Sequence, residues 1–358
     1  MLKISFLGDI SLNNNYNQLY KSNINPFLGV EEILMGSDFN IGNLECLARG
    51  DNGENLLKSP RLNTDAETLN LLDYLNLKVV TLAHNHIYDN LKDGYDKTIS
   101  LLKGKNIKFL GAGLNKIESE KELYINKNGV KLGLLNFVTH DTNPKLPKNA
   151  TICLNFFDIE SVEKKIKEIK LRVDHVIILL HWGGKVEEGF YPDFKQPVLA
   201  RRMIDAGADL IVGGHSHTIQ PYELYKDKYI FYSLGNFCFD DIVQDKQTFQ
   251  IGRFRKRETI IPTVIFTKNN YSLKIKHAKN NKGHVVAENN ITSRIKIKWR
   301  NFIFSIIRVN YSLWKIYYWH LKSIVPIKMY FVEANEGITK KLVTLDFKRV
   351  LRYLLKQL

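Results

Sequence analysis

The sequence predicts an α/β fold whose helices cover the faces of its sheets, and three observations carry that prediction. Apolar runs of strand length alternate with amphipathic segments from Met1 to about Lys276. Polar, metal-capable side chains close five of those runs, each time at the carboxyl end, where open α/β sheets gather their ligands. At 358 residues, 44% of them hydrophobic, the chain is long and apolar enough to bury a full core.

Taken in order, Lys3–Leu7 is a first strand, running into Gly8 and Asp9. Phe39–Leu44 is the second, with Asn43 and Glu45 at its end. Glu67–Leu75 carries apolar residues three and four apart and reads as a helix. Lys78–Leu82 is a strand followed by Asn85 and His86, then come a helix over Tyr95–Lys103 and strands over Ile107–Leu110 and Val130–Val138. The helix Ile159–Lys170 precedes the strand His175–Leu180, which His181 follows. The helix Phe194–Ala206 precedes the strand Asp209–Val212, after which Gly213 and Gly214 supply turning freedom before His215, Ser216 and His217. Strands over Tyr229–Leu234 and Thr263–Thr267 complete the series, and the polar, basic stretch Gln244–Arg257 reads as a loop or lid. The chain holds no repeats and no low-complexity segment.

The strand ends assemble a mixed oxygen and nitrogen donor set: the carboxylates of Asp9 and Glu45, the amide of Asn85, and the imidazoles of His181, His215 and His217. Such a set suits Mn, Zn or Fe better than Ca or Mg, which prefer oxygen throughout. The donors outnumber one tetrahedral site, so one divalent ion or two bridged by a carboxylate are expected. The expected chemistry is hydrolysis without a covalent intermediate. Other chemistries lack their residues. There is no Gly-x-x-x-x-Gly-Lys-Ser/Thr loop, Gly111-Ala112-Gly113 lacks the third glycine of a dinucleotide fingerprint, and Ser216 sits in no nucleophile elbow. Cys46, Cys153 and Cys238 are too scattered for a metal knuckle or a disulfide framework, which fits a reducing compartment.

Six motifs in order resemble the signature series of the CapA-like capsule-synthesis proteins. They are Gly8-Asp9, Asn43-Leu44-Glu45, Ala83-His84-Asn85-His86 with Asp89, His181-Trp182-Gly183, Gly214-His215-Ser216-His217 and Tyr232-Ser233-Leu234-Gly235-Asn236-Phe237. The resemblance covers about residues 1–240. That family is associated with bacterial poly-γ-glutamate and other capsules, and its domain is similar to calcineurin-like metallophosphoesterases. The resemblance implies a four-layer α-β-β-α sandwich with a helical C-terminal extension. It also implies roles: Asp9 and His217 on a first metal, Glu45 in the bridging position, and Asn85, His181 and His215 on a second. His86 would protonate the leaving group rather than ligate, and Asp89 would orient it. The substrate implied is a phosphoester or an anionic polymer, and the runner-up role is a non-catalytic accessory of a capsule-polymer synthase.

The chain departs from that pattern at two places. Phosphoesterases of this class carry a histidine two residues after the first aspartate, where this chain has Ser11. Lys185 stands where the family often has an acid, with Glu187 and Glu188 as nearby substitutes. His140 and Asp141 are a weaker pocket candidate, Trp182 reads as packing, Asn236 as a brace, and Lys58 and Arg61 as a solvated pair within reach of an anionic substrate.

Charge divides the chain. Residues 291–358 hold 14 Lys/Arg against 3 Asp/Glu, whereas residues 1–290 hold 38 against 34, so composition does not mark the body for nucleic acid and none is expected as a partner. Trp299, Trp314 and Trp319 lie among those basic residues, and Val343, Phe347, Val350, Leu351, Leu354 and Leu358 recur at helical spacing. The tail therefore suits either an anionic membrane face or a helical extension folded back on the body. The expected division is a metallophosphoesterase-type domain over 1–285 and a basic helical extension over 286–358. The start as given has no long apolar leader, so the expected location is cytoplasmic, with the tail at the inner face of the cell membrane.

Overall fold

Two sheets face each other in the computed structural model, which describes residues 1–244, 247–249 and 257–324. The first runs in the order His284–Ala287, Tyr271–Asn281, Glu258–Phe266, Leu2–Ile10, Phe39–Leu44, Leu77–Thr81, Lys108–Leu110. The last four are parallel, and the C-terminal strands add antiparallel to the edge of Leu2–Ile10. Where Glu258–Phe266 leaves that edge, Asn236–Cys238 takes its place and pairs Asn236 with Asp9. The second sheet runs Tyr222–Tyr225, Lys228–Phe231, Leu210–Gly214, His175–His181, Val130–Val138, Leu123–Lys127, parallel through its centre.

Side chains alternate across each strand, so every central strand serves two cores. Phe6, Ile41, Val79 and Val264 meet Leu132, Ile177, Leu179 and Val212 between the sheets. Leu7, Ile10, Val80 and Leu82 face the other way, onto Leu69, Leu72, Leu75 and Leu102. Over the second sheet the helix Ile159–Lys170 buries Val162, Ile166 and Ile169, and the helix Gln196–Asp205 buries Ala200, Met203 and Ile204. Burying each such aliphatic side chain contributes about 1.5–3 kcal/mol. The result is the four-layer α-β-β-α sandwich.

Four details differ from expectation. The segment Ala66–Leu75 is a 3-10 helix rather than an α-helix. Its buried leucines at 69, 72 and 75 repeat every three residues, which lines them up along one edge of the tighter coil. Within the expected loop over 244–257, Gln247–Phe249 pairs antiparallel with Ile242–Gln244, and residues 245–246 and 250–256 lie outside the described residues. The hairpin Tyr271–Asn281 with His284–Ala287 was not expected; Lys282 and Gly283 both take positive φ there, the two-residue turn whose twist suits a hairpin. Gly213 and Gly214 remain strand and take no positive φ, so they are not there for turning freedom.

The chain divides into two compact units, Met1–Asn301 and Phe302–Leu358, a division that falls within the helix Ile291–Ile307. Residues 286–301 go with the body because Ile297 joins the inter-sheet core. In addition, Arg300 Nη1 donates to Ile219 O at 2.9 Å, and Asn301 Oδ1 accepts from Tyr222 N at 3.1 Å. In the second unit, Tyr311–Trp319 is helical, and the expected amphipathic segment over 343–358 lies outside the described residues. Among the described residues no helix is long and apolar enough to cross a membrane.

Candidate metal centre

The carboxyl ends of the parallel strands from both sheets deliver all six expected donors to one buried pocket. Asp9 closes Leu2–Ile10, Glu45 follows Phe39–Leu44, and Asn85 and His86 stand in the turn beyond Leu77–Thr81. His181 ends His175–His181, and His215 and His217 follow Leu210–Gly214. Close approach rather than turning requires the glycines here. A Cβ on Gly214 would lie 2.7 Å from Asp9 Oδ1, and one on Gly8 would lie 2.0 Å from Gly235 O. The positive φ falls instead on His215 (86°) and His217 (57°), a strain of about 1–3 kcal/mol each that clusters at functional sites.

Asp9, Glu45 and His217 form one group, each offering a ligand atom within 4.8 Å of the others. The Nδ1 of His217 lies 3.5 Å from Asp9 Oδ2, and its Nε2 lies 3.8 Å from Glu45 Oε1. Around His181 a second group gathers. Its Nε2 is 2.8 Å from Asn85 Oδ1, 3.0 Å from His215 Nδ1 and 3.9 Å from Glu45 Oε1. Glu45 thus touches both groups. Its side chain is fully buried, and neither carboxylate oxygen has a hydrogen-bond partner. Nε2 of His215 is likewise buried without a partner. Orphaned donor atoms of this kind, mixed oxygen and nitrogen, are what a bound divalent cation satisfies. The residues fit a metal.

Neighbouring amides hold these side chains in place. Asn43 Nδ2 donates to Asp9 Oδ1 at 2.9 Å and lies 3.3 Å from His181 Nδ1, while Thr81 Oγ1 donates to Asn43 Oδ1 at 2.9 Å. Asn236 Oδ1 lies 2.9 Å from His217 Nδ1, which makes it a brace as expected. Outside the donors, His86 Nδ1 lies 2.6 Å from Asp89 Oδ2, and His86 Nε2 lies 3.9 Å from Glu45 Oε1.

Burial dominates the electrostatics. It pushes the Glu45 carboxyl well above its ordinary range, and the neighbouring Asp9 adds to this. It holds His181 and His86 well below theirs and pushes His215 down to about 3, with neighbouring histidines adding to this and Lys58 too at His86 and His215. His217 is the exception: Glu45 and Asp9 overcome burial and hold it up to about 9. Asp89 is pushed up to about 7 by burial, against the pull of Lys58, the Leu62 amide and Arg61. Neutral imidazoles beside carboxylates that resist ionisation describe a pocket short of positive charge.

The model of the family described as bacterial capsule synthesis protein PGA_cap matches residues 3–241 of this chain. The chain belongs to that family. It is 34% identical over 244 residues to the PGA biosynthesis protein CapA of Bacillus subtilis (strain 168), covering 67% of this chain and 64% of that one. With the capsule biosynthesis protein CapA of Bacillus anthracis it shares 31% over 254 residues, or 67% and 60% of the two chains. The match therefore spans less than two thirds of the length of either relative. Among solved structures, it is similar to a putative 5'-nucleotidase from Staphylococcus aureus, at 14% identity and a TM-score of 0.46, covering 83% of this chain and 58% of that one.

Both family departures have a structural form. Ser11 Oγ donates to Asn13 Oδ1 at 2.8 Å and its amide to Cys238 O, so it brings no donor to the cluster. Lys185 is exposed, and of the two acidic substitutes it is Glu187 that faces the site, its Oε1 4.0 Å from His217 Nε2. His140 is exposed and stacks on Phe156, with ring centroids 4.0 Å apart. Trp182 packs, as expected: its Nε1 donates to Tyr232 O at 2.9 Å and its ring stacks on Tyr232.

The expected solvation of Lys58 and Arg61 is overturned, since both are buried. Arg61 Nε pairs with Glu54 Oε2 at 2.8 Å and Nη1 donates to Lys58 O. Lys58 Nζ donates to Asn85 O at 2.6 Å, and its pKa is lowered by burial against the pull of Asp89, Glu45 and Glu187. A charged residue in an irregular loop carries no period, so nothing local distinguishes it from a surface lysine. Asn43 was noted only as a strand end, though the motif Asn-Leu-Glu put it beside Glu45.

Proposed function

We propose that this chain is a metal-dependent hydrolase that cleaves a phosphoester or an amide of an anionic polymer in the making of a bacterial capsule or surface polymer. One observation carries the reading. A fully buried carboxylate without a hydrogen-bond partner, Glu45, stands between Asp9 and His217 and 3.9 Å from a histidine gripped by Asp89. Asp9, Glu45 and His217 would hold one divalent ion, and Asn85, His181 and His215 with Glu45 a second; Mn, Zn and Fe suit the donors. Such an ion polarises the scissile group and acidifies a coordinated water.

The remaining work falls to the chain's own residues. His86 Nε2 faces the cluster; with Asp89 protonated and donating to Nδ1, the neutral ring carries its proton on Nε2 and gives it to the leaving group. Asp89, bonded to Nδ1, fixes the ring and passes its own proton to Nδ1 as the Nε2 proton leaves, so the ring ends neutral and Asp89 ionised. Asn43 and Asn236 hold Asp9, His181 and His217 in register, and the buried surroundings keep bulk water from screening these charges.

Ser11, in place of a family histidine, favours a second reading, in which the same pocket binds polymer without cutting it and serves a polymer synthase as an accessory. Metal analysis and a generic phosphodiester assay with Mn or Zn separate the two. Turnover that His86→Ala abolishes while metal is retained supports the hydrolase. Folded protein with neither metal nor turnover supports the accessory.

A further inference from the structure

One cation of the pocket has no part in the chemistry above. Among the described residues Lys58 is the only buried lysine, 6% exposed. An ammonium has three N–H donors, and Lys58 uses one, on the carbonyl oxygen of Asn85. No carboxylate among the described residues pairs with it, although the charges of Asp89, Glu45 and Glu187 all act on it. The carbonyl it binds joins Asn85, whose side chain meets His181, to His86, whose ring meets Asp89. The ammonium therefore lies along the main chain that connects the donor cluster to the proton donor.

Charge balance says what the spare donors are for. A divalent ion on Asp9 and Glu45 would neutralise Glu45, one of the three carboxylates whose field acts on the lysine, and leave Asp89 and Glu187. Asp89 gives one oxygen, Oδ2, to His86 and the Leu62 amide, at 2.6 and 2.7 Å, and is not ion-paired with Lys58. A buried ammonium with two unused donors and no carboxylate in direct contact is costly unless something anionic arrives with the substrate. Lys145, exposed and close enough for its charge to act on Lys58, extends the positive field outward.

We propose that Lys58 binds an oxyanion of the substrate, a phosphate oxygen or a polymer carboxylate, beside the group that His86 protonates, and so selects anionic substrates. This rests on the hydrolase reading of the same pocket. It makes Lys58 a binding residue rather than a brace for the Asn85 loop, and the two roles separate by charge. Lys58→Gln keeps an N–H donor without the charge, and Lys58→Arg keeps the charge.

The test is calorimetric titration of the Mn- or Zn-loaded full chain with inorganic phosphate and, separately, with a γ-linked glutamate dipeptide. The wild type binds one of the two, and which one distinguishes a phosphate from a carboxylate ligand. Lys58→Gln binds it at least about ten-fold more weakly with metal content unchanged, and Lys58→Arg stays within about three-fold of wild type. Unchanged affinity in Lys58→Gln overturns the inference, as does affinity lost only together with metal, which marks a brace. A loaded wild type that binds neither probe also overturns it, with the metal centre still standing. A wild type that takes up no metal overturns the hydrolase reading and this inference with it.

Discussion

Glu45 is the residue on which the pocket turns. Burying a carboxylate with no donor on either oxygen disfavours the folded state, and Asp9 beside it raises the cost. The position fits a protein that tolerates local instability to keep a ligand site open. In metal-free protein, Glu45→Gln is expected to raise stability by about 1–3 kcal/mol, read by urea unfolding in chelator. The same change should abolish metal uptake, so that Mn or Zn raises the Tm of the wild type but not of the variant. His86 and Asp89 answer to a different measurement. His86→Ala should lower kcat by about 10²–10⁴-fold with metal retained. Asp89→Asn should lower kcat more than it changes KM, since Asp89 touches His86 rather than substrate; a change confined to KM would count against its orienting role.

Elements set the precision of that pocket from its far end. Asp209, at the start of the strand that delivers His215 and His217, accepts from Val176 N (2.9 Å) and Lys170 Nζ (2.6 Å) on one oxygen and Lys228 Nζ (2.8 Å) on the other. Its own carbonyl accepts from Tyr271 Oη of the opposite sheet at 2.8 Å. A helix, three strands of one sheet and a strand of the other are thereby clasped at one point. Burial raises the Asp209 pKa, but the two lysines and the amide outweigh it and hold the carboxyl below its ordinary range. A depressed carboxylate stabilises the fold above the unfolded pKa, near 4, and that contribution is lost as pH falls through the folded value. Asp209→Asn should therefore cost about 1.5–3 kcal/mol at pH 7, with the deficit shrinking below about pH 4. Denaturant midpoints at pH 7 and pH 3 check the sign. The strand end is as sensitive as its start. Gly214→Ala puts a Cβ against Asp9 Oδ1 and should weaken metal binding while the mean secondary structure by circular dichroism stays unchanged.

For the whole molecule, charge and compactness part company. Residues 1–301 hold 42 Lys/Arg against 34 Asp/Glu, whereas the 57 residues 302–358 hold 10 against 3, a much denser positive charge. In the second unit Phe302, Ile306, Tyr311, Ile316 and Trp319 are exposed. Aromatic and aliphatic side chains among cations suit an anionic lipid face, each basic residue near the surface adding about 1 kcal/mol. The full chain should sediment with vesicles containing anionic lipid in a salt-sensitive way, and a chain ending at Asn301 should not. Equal sedimentation by both would end the membrane proposal. The cut belongs after Asn301 because the residues before it pack into the body through Ile297.

Local pattern determined the alternating strands and helices and the donor set, while the four layers came from the resemblance to a family. Strands over Phe39–Leu44, Val130–Val138 and Ile159–Lys170 as a helix are legible residue by residue, because periodicity is a property of the chain itself. The convergence of Asp9, Glu45, Asn85, His181, His215 and His217 was legible for a related reason, since parallel strands place their carboxyl ends on one side. Tertiary structure alone decided what depends on neighbours far apart in sequence. It buried Lys58 and left its ammonium two donors to spare, left Glu45 without a hydrogen-bond partner, and made Gly214 a matter of room beside Asp9 rather than of turning. Burial and close approach are set by segments that meet only after folding, and no window of sequence contains both sides of such a contact.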